Sequence, residues 1–317
     1  MFIYILLLLA VGFVLLIAGA HWLVRGASSL AKRLNVPELV IGLTVVAFGT
    51  STPEMIVNIV SAIQNVADIS FGNIIGSNNF NILIILGLSA LIYPLDVKKT
   101  TTWREIPFAL MTSFVLLILV NDAWFVPGAL NILTRGDGLI LLAFFLIFLV
   151  YTHNLAKQGA EVESGLKILP WYLILGLLAA GFAGLILGGN LVVKYAVLLA
   201  QKIGISQKVI GLTIVAAGTS LPELATSIVA AWKKKPDIAV GNIVGSNIFN
   251  LLLILGVAPL IRPLVYQLSF NTDQYLMIFC TFLLFLLMLN PKPHRLDRWE
   301  GALMICIYIV YAVFFLK

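Results

Sequence analysis

Two glutamates stand in a chain that is otherwise strongly apolar, each within the same short motif. Glu54 closes GTSTPE at residues 49–54, and Glu223 closes GTSLPE at residues 218–223. The proline before each glutamate removes one helical hydrogen bond and frees a backbone carbonyl about one turn earlier. Carboxylates, hydroxyls and backbone carbonyls are the oxygen ligands that hard cations such as Ca²⁺ take. The two motifs therefore predict a cation site.

Further polar residues recur every four positions around these motifs, which places them on one face of each predicted helix. Four such stripes occur: Thr50, Glu54 and Asn58; Asn73, Ser77 and Asn81; Thr219, Glu223 and Ser227; Asn242, Ser246 and Asn250. Polar lines on membrane helices face the bundle interior. The stripes contain no His or Cys, so they suit oxygen-preferring cations rather than soft metals.

The composition places the chain in a lipid bilayer. Hydrophobic residues make up 61% and charged residues 11% of the 317 residues, well outside the balance of a soluble domain. A helix needs about 20 mostly apolar residues to cross the hydrocarbon core. Ten segments meet this requirement: 2–24, 38–63, 69–92, 104–121, 137–153, 170–193, 206–231, 237–261, 273–290 and 298–316.

The distribution of basic residues predicts the orientation of these segments. The loops after odd-numbered segments hold Lys32, Arg33, Lys98, Lys99, Arg104, Lys157, Lys167, Lys233, Lys234, Lys235, Lys292, Arg295 and Arg298. The loops after even-numbered segments hold Arg135, Lys202, Lys208 and Arg262. By the positive-inside rule the richer loops are cytoplasmic, so both termini are predicted to be extracellular, in a multi-pass protein of the cell membrane. The net charge of +6 thus reflects topology and indicates no nucleic-acid partner.

Residues of the first half recur in the second half at one constant separation, without a gap. The pairs are Gly42/Gly211, Gly49/Gly218, Thr50/Thr219, Ser51/Ser220, Pro53/Pro222, Glu54/Glu223, Asp68/Asp237, Gly72/Gly241, Asn73/Asn242, Gly76/Gly245, Ser77/Ser246, Asn78/Asn247, Phe80/Phe249, Asn81/Asn250, Gly87/Gly256 and Pro94/Pro263. Each half holds five predicted spans, so the halves enter the membrane from opposite sides. The predicted fold is an all-α integral membrane protein of ten transmembrane helices arranged as two inverted five-helix repeats.

The domain boundaries follow from this repeat. Residues 1–153 form the first five-helix repeat, the polar stretch 154–168 is a cytoplasmic connector, and residues 169–317 form the second repeat. In inverted-repeat transporters the substrate site lies near the membrane midplane, between the repeats and often on interrupted helices. The polar stripes are expected to meet there.

Several other residues are predicted to have structural roles. The glycine pairs Gly72/Gly76 and Gly241/Gly245 favour close helix approach, and Asp68 and Asp237 are expected to cap the helices that they begin. Cys280 and Cys306 lie inside apolar spans and are predicted to be buried in packing, without a disulfide. No HExxH, nucleophile-elbow or P-loop pattern occurs. The chain is therefore predicted not to be an enzyme and to need no cofactor.

The motifs GLTVVAFGTSTPE, GNIIGSNNFN, GLTIVAAGTSLPE and GNIVGSNIFN resemble the two alpha repeats of the sodium/calcium exchanger family, within the cation/Ca²⁺ antiporter superfamily. The resemblance covers essentially the whole chain, and its specific motifs occupy about 42–87 and 211–256. It implies secondary active antiport of Ca²⁺ against Na⁺ by alternating access, with these ions and the lipid bilayer as partners and no obligatory protein partner.

The resemblance also implies which residues bind the ions. One Ca²⁺ would be held mainly by Glu54 and Glu223, with backbone oxygens of Thr50 and Thr219. Flanking Na⁺ sites would add the Ala47 carbonyl, Ser51 and Ser77 in one repeat, and the Ala216 carbonyl, Ser220 and Ser246 in the other. Asn81 and Asn250 would line the middle position. Many members of the family have an aspartate where this chain has Asn250, so the carboxylate count here is two, which leaves the coupling ratio open.

Three alternatives remain at this point. A cation channel would need a continuous pore and no counter-ion, and an intramembrane hydrolase would need a nucleophile and base that the stripes lack. The third alternative is a H⁺-coupled exchanger for Ca²⁺ or another divalent cation, because protons compete for carboxylate oxygens. Proton/calcium exchangers of the superfamily typically have GNxxE where this chain has GTSxPE, which favours sodium as the counter-ion.

Overall fold

The computed structural model of the protein describes residues 2–157, 159, 169–202, 216–289 and 294–315. Most of these residues lie in helices. The principal helices are α1 (Phe2–Leu34), α2 (Glu38–Thr50), α3 (Thr52–Gln64), α4 (Ala67–Ile92), α5 (Thr101–Leu119), α6 (Arg135–Ala156), α7 (Trp171–Lys202), α8 (Leu221–Trp232), α9 (Pro236–Ile261), α10 (Leu268–Leu287) and α11 (Arg298–Phe315). A single helical turn, Ala216–Gly218, precedes α8.

The second predicted span is a helix broken at Ser51. The chain direction changes by 47° between α2 and α3, and Ser51 itself leaves helical geometry with φ −81° and ψ 7°. Pro53 follows in the first turn of α3, where its missing N–H costs no hydrogen bond. Ser220 has the same geometry before α8, with φ −86° and ψ 6°. Both halves therefore interrupt a helix directly before the glutamate, as the prolines predict.

In the part of the chain that the structure describes, four wider π-helical turns interrupt the regular helices. They are Gly42–Val46 in α2, Asn81–Leu86 in α4, Thr101–Glu105 in α5 and Phe249–Ile254 in α9. Such turns are rare and occur mostly where a helix carries a functional residue. Asn81 begins the turn in α4 and Asn250 lies in the turn of α9. The sequence analysis did not predict these turns.

Helices α1 and α7 pack along each other in an antiparallel pair through glycines. Gly12 approaches Val192, Gly19 approaches Gly184, and Gly26 approaches Leu178, so the contacts run in opposite directions along the two helices. A Cβ atom added at Gly19 would lie 2.8 Å from the backbone nitrogen of Leu185. Since no side chain separates the backbones here, the two helices form a close, continuous contact.

Helices α2 and α9 cross closely and connect the two halves. A Cβ at Gly241 would lie 3.0 Å from the carbonyl oxygen of Leu39, and one at Gly245 would lie 2.7 Å from both the Ala47 Cβ and the Leu43 carbonyl oxygen. The predicted close approach is thus confirmed for this pair. Gly76, the counterpart of Gly245, has no atom of the described residues within 4 Å of its added Cβ. The residue that corresponds to Leu43 in the second half is residue 212, outside the described residues, so close approach at Gly76 stays a prediction.

Among the described residues, two short antiparallel strand pairs join loops of the two halves. Strand β1 (Leu95–Asp96) pairs with β4 (Arg295–Leu296), and β2 (Ile132–Leu133) pairs with β3 (Leu264–Val265). Short 3₁₀ turns lie near them at Asp122–Trp124 and Leu268–Phe270. Because each pair links one half to the other, the loops help to fix how the halves sit together.

Within the described residues, seven helices are long and apolar enough to cross a membrane, or eight if α2 and α3 form one bent span. The predicted span 206–231 lies partly outside the described residues, as does the connector 154–168. The predicted span 298–316 corresponds to α11, which is not among the seven. The protein is thus a helical membrane protein, and the count of ten spans stays a prediction.

Two of the minor structural predictions are wrong. Neither α4 nor α9 has a side-chain cap at its first turn, and the Asp68 carboxylate instead accepts a 2.6 Å hydrogen bond from Gln267. Cys306 is exposed on the surface of the bundle, whereas Cys280 is buried as expected. The face of α11 that carries Cys306 points outward. In a uniformly apolar segment, the spacing of apolar residues does not show which face is exposed.

Candidate functional site

The two helix breaks place Glu54 and Glu223 inside the bundle. Glu54 lies in the first turn of α3 and Glu223 in the first turn of α8. Their side chains are 0% and 1% exposed, respectively, and the two carboxylates lie near enough to repel each other. Burying two like charges is costly unless hydrogen bonds or a bound cation offset the cost.

Serine hydroxyls bond each glutamate from the other half of the chain. Ser51 Oγ donates to Glu223 Oε1 at 3.0 Å, and Ser220 Oγ donates to Glu54 Oε1 at 3.4 Å. Ser77 adds a 3.4 Å bond to Glu54 Oε1 and shares a 2.8 Å bond with the Ser220 hydroxyl. These bonds join the two motifs into one site between the halves.

The remaining hydroxyls follow the same symmetry. Ser246 Oγ donates to Glu223 Oε1 at 3.5 Å, as Ser77 does to Glu54. Thr50 Oγ1 donates to Asn242 Oδ1 at 3.0 Å, and Thr219 Oγ1 donates to Asn73 Oδ1 at 3.2 Å. The serine–glutamate and threonine–asparagine bonds of one half therefore have counterparts in the other.

Four asparagines form a symmetric network beside the glutamates. Asn81 Nδ2 donates to Asn247 Oδ1, and Asn250 Nδ2 donates to Asn78 Oδ1, both at 2.9 Å. Asn78 and Asn247 also donate to each other's backbone carbonyl, at 3.3 and 3.4 Å. Because the amide nitrogens of Asn81 and Asn250 are engaged, their carbonyl oxygens are left to face other ligands.

Among the described residues, several buried polar atoms of this region have no hydrogen-bond partner: the oxygens Glu54 Oε2, Glu223 Oε2, Asn81 Oδ1, Asn250 Oδ1 and Asn58 Oδ1, and the amide nitrogen of Asn73. Buried oxygens without a donor are costly and rare, so each needs an explanation. The oxygens on Glu54, Glu223, Asn81 and Asn250 are all hydrogen-bond acceptors, and hard cations bind oxygens of this kind. These oxygens therefore fit Ca²⁺ or Na⁺ as a transported ion.

The site contains two carboxylates and otherwise neutral oxygens. Among the residues that the structure describes, no group of three or more His, Cys, Asp and Glu residues could hold a metal ion. Glu54 and Glu223 thus supply the negative charge of this site. A cation bound here would be held by two charges together with amide, hydroxyl and carbonyl dipoles.

The structure brings most of the predicted ion-binding residues together. The hydrogen-bonded set comprises Glu54, Glu223, Ser51, Ser220, Ser77, Ser246, Thr50, Thr219, Asn81 and Asn250. The Ala47 carbonyl accepts bonds from the Ser51 amide at 3.0 Å and the Thr50 hydroxyl at 3.3 Å. Ala216 begins the helical turn before Ser220, and its backbone alone is described.

Sequence reasoning placed Asn73 and Asn242 on the polar stripes but assigned no role to them, nor to Asn78 and Asn247. Asn73 and Asn242 accept the threonine hydroxyls, while Asn78 and Asn247 hold the amides of Asn81 and Asn250. The signal that could have found them was the repeat itself, since all four occur in the paired GNIxGSNxFN segments. These asparagines lie one helical turn from the predicted ligands or on the neighbouring face. Their role as hydrogen-bond partners of those ligands is therefore not evident from spacing alone.

Comparison with known proteins agrees with this arrangement. The family model for sodium/calcium exchanger proteins matches residues 4–153 and 173–317. The chain is 37% identical over 320 residues to the inner membrane protein YrbG of Escherichia coli, covering 96% of this chain and 94% of that one. It is 30% identical over 346 residues to the sodium/calcium exchanger MaX1 of Methanosarcina acetivorans, covering 97% of each.

A solved structure has the same fold. The sodium–calcium exchanger NCX_Mj matches with a TM-score of 0.83 and 32% sequence identity over 99% of both chains. The fold and the family match place the protein among membrane antiporters. The chain belongs to the sodium/calcium exchanger family. Because this family consists of exchangers, the protein is a transporter and not an enzyme.

Proposed function

We propose that this protein is a secondary active antiporter that exchanges Ca²⁺ for Na⁺ across the membrane by alternating access. The observation that carries the proposal is the set of four unpartnered acceptor oxygens, on Glu54, Glu223, Asn81 and Asn250, buried between the two halves of the chain. Ca²⁺ and Na⁺ both take such oxygens, so they compete for one site. The ions are cargo, and the proposal includes no cofactor.

In the proposed site, Glu54 and Glu223 bind Ca²⁺ directly, with the backbone oxygens of Thr50 and Thr219. The hydroxyls of Ser51, Ser77, Ser220 and Ser246 and the carbonyls of Ala47 and Ala216 complete flanking Na⁺ positions. Support comes from the hydroxyl bonds of both serine pairs to the glutamates. Asn81 and Asn250 lie at the middle position as neutral ligands.

The proposed architecture is ten transmembrane helices in two inverted five-helix repeats. Antiparallel α1 and α7 would be the first helices of the two repeats, and the glycine contacts between them support opposite orientations. The symmetric hydrogen bonds around the glutamates support the same relationship. Helices α1 and α7 carry few polar residues, and in the proposal they move together against the remaining bundle to expose the site on alternate sides.

Transport by reconstituted protein tests the counter-ion. Proteoliposomes would be loaded with Na⁺, and a parallel set would be loaded with K⁺ and given an outward proton gradient. We expect ⁴⁵Ca²⁺ uptake to require internal Na⁺. Uptake driven only by the proton gradient would instead support the H⁺-coupled alternative, with Glu54 and Glu223 as proton carriers. Uptake that needs neither ion would indicate a channel and overturn antiport.

The proposed membrane orientation has a separate test. The basic loops are assigned to the cytoplasm and both termini to the outside, from the distribution of Lys and Arg alone. A single cysteine introduced near either terminus, in a background with Cys280 and Cys306 replaced, would be labelled by an impermeant maleimide on intact cells. Labelling only after lysis would reverse the assignment.

A further inference from the structure

A cavity of about 600 Å³ lies away from the cation site, beside the start of α5 and the end of α10. The described residues that line it are Lys99, Thr100, Trp103, Arg104, Leu289 and His294. Its volume is typical of small-molecule sites, which are about 300–1,000 Å³. None of its residues takes part in the proposed ion transport.

The two sides of the cavity come from distant parts of the chain and are fixed to each other. Strand β1, which precedes Lys99, pairs with β4, which follows His294. The His294 ring also shares a 3.0 Å hydrogen bond between its Nδ1 and Thr102 Oγ1. The cavity walls therefore have a defined separation, set by the tertiary structure.

The described lining carries basic side chains and no carboxylate. Lys99 and Arg104 are both exposed, so their cationic ends can reach a ligand. The nearby Arg295 is already neutralised, because Asp297 accepts a 2.7 Å bond from it and Asp96 lies 3.7 Å away; the bond to Asp297 raises the pKa of Arg295. Those carboxylates are thus engaged outside the cavity.

The carboxylate next to Arg104 in sequence is engaged elsewhere too. Glu105 is 0% exposed and does not line the cavity. It accepts a hydrogen bond from the Tyr151 hydroxyl, and the charge of Arg104 acts on it from the cavity side. Because Lys99 and Arg104 are exposed and no carboxylate is among the described lining residues, the cavity surface is positive, and an anion is the class of ligand that it fits.

An apolar, aromatic side of the cavity lies next to these cations. Trp103 is 52% exposed and packs edge-on against Phe285 of α10, with ring centroids 5.6 Å apart. Leu289 is also exposed. An exposed tryptophan beside Lys and Arg at the end of a membrane helix is typical of the lipid headgroup region. The buried Thr100 hydroxyl has no partner and can donate to a phosphate oxygen.

We propose that this cavity binds a phosphate group, and that its source is the headgroup of an anionic phospholipid such as phosphatidylglycerol. Lys99 and Arg104 pair with the phosphate, and Trp103 and Leu289 contact the glycerol and the upper acyl chains. Basic pockets at helix ends recognise acidic headgroups in this manner, and each cation contributes about fivefold in affinity.

Native mass spectrometry of the full chain in detergent tests the proposal. Phosphatidylglycerol and phosphatidylcholine would be titrated separately against wild type, a Lys99→Gln/Arg104→Gln double variant, and Thr100→Val. We expect wild type to prefer phosphatidylglycerol, the double variant to lose about 25-fold in its affinity, and Thr100→Val to lose less. Lys32→Gln, which removes a basic residue outside the cavity, should bind as wild type does.

The outcomes separate the two sources of phosphate. Wild-type affinity in the double variant, or equal binding of both lipids, would overturn the proposal. Displacement of bound lipid by millimolar inorganic phosphate would keep Lys99 and Arg104 as phosphate ligands but overturn a lipid as the source. Thr100→Val changes the side-chain shape very little. It therefore tests the cavity in a variant that is expected to fold as wild type does, should the double variant fold poorly. No ion transport is measured, so the result is independent of the counter-ion.

Discussion

Ser51 and Glu223 belong to opposite halves of the chain, yet the serine hydroxyl donates a 3.0 Å hydrogen bond to the glutamate carboxylate. Ser220 and Glu54 repeat the relationship at 3.4 Å. Each motif thus supplies a hydrogen-bond donor to the glutamate of the other, so the proposed site needs both halves. This exchange of partners explains why both copies of GTSxPE carry the serine as well as the glutamate.

Removing either carboxylate should abolish transport. We expect Glu54→Gln and Glu223→Gln to lower Ca²⁺ uptake about 100-fold or more, since breaking one charged partner in a buried site costs about 3–5 kcal/mol. The measurement is ⁴⁵Ca²⁺ uptake by proteoliposomes, with monodisperse size-exclusion profiles to confirm folding. Glu105→Gln is the matched control, because Glu105 is equally buried but bonded to Tyr151 outside the site. Normal uptake by either site variant would remove that glutamate from the site.

The two serine hydroxyls should contribute in parallel. Ser51→Ala and Ser220→Ala each remove a hydrogen bond to a buried carboxylate, a bond of about 1.5–3 kcal/mol. We expect each variant to raise the ion concentration for half-maximal uptake by about tenfold, with folding unchanged. Ser113→Ala serves as control, because that buried hydroxyl bonds only its own helix, at the Ala109 carbonyl. A response in one serine variant without the other would contradict the symmetric site.

Adding a third carboxylate should create pH dependence. The Asn250 amide donates to Asn78 Oδ1, and an aspartate can do so only while protonated. In Asn250→Asp, protonation therefore preserves the bond, whereas ionisation adds a negative charge to the cation site. We expect the apparent Ca²⁺ affinity of this variant to rise with pH more steeply than that of wild type.

The control for that experiment is Asn121→Asp, because Asn121 is buried at the end of α5 and bonded to Asn271, away from the site. Its pH profile should follow that of wild type. Parallel profiles for Asn250→Asp and wild type would instead place Asn250 outside the ligand set.

Helix packing between the halves should tolerate no side chain at Gly245. Its added Cβ would lie 2.7 Å from the Leu43 carbonyl oxygen, and overpacking of this kind costs about 1–3 kcal/mol. Gly245→Ala should lower the Tm of the detergent-solubilised protein. Gly176→Ala in α7 is the control, because no atom of the described residues lies within 4 Å of its added Cβ, and it should keep or raise the Tm. Equal effects of the two changes would refute tight packing at Gly245.

The sequence by itself determined the chemical character of this protein. Apolar composition indicated a membrane protein, the prolines predicted helix breaks before Glu54 and Glu223, and the duplicated motifs contain most of the residues in the hydrogen-bonded network around the glutamates. These features could be predicted because each depends on local chemistry, on spacing along one helix, or on comparison of the two halves.

Only the tertiary structure decided which groups face each other. The bonds from Ser51 to Glu223 and from Asn250 to Asn78 join residues far apart in the chain. The close contact of Gly245 with Leu43 and Ala47 depends on which helix packs against it. Local sequence does not specify that neighbour, because Cβ clearance and oxygens left without donors are set by residues that periodicity along one helix does not identify.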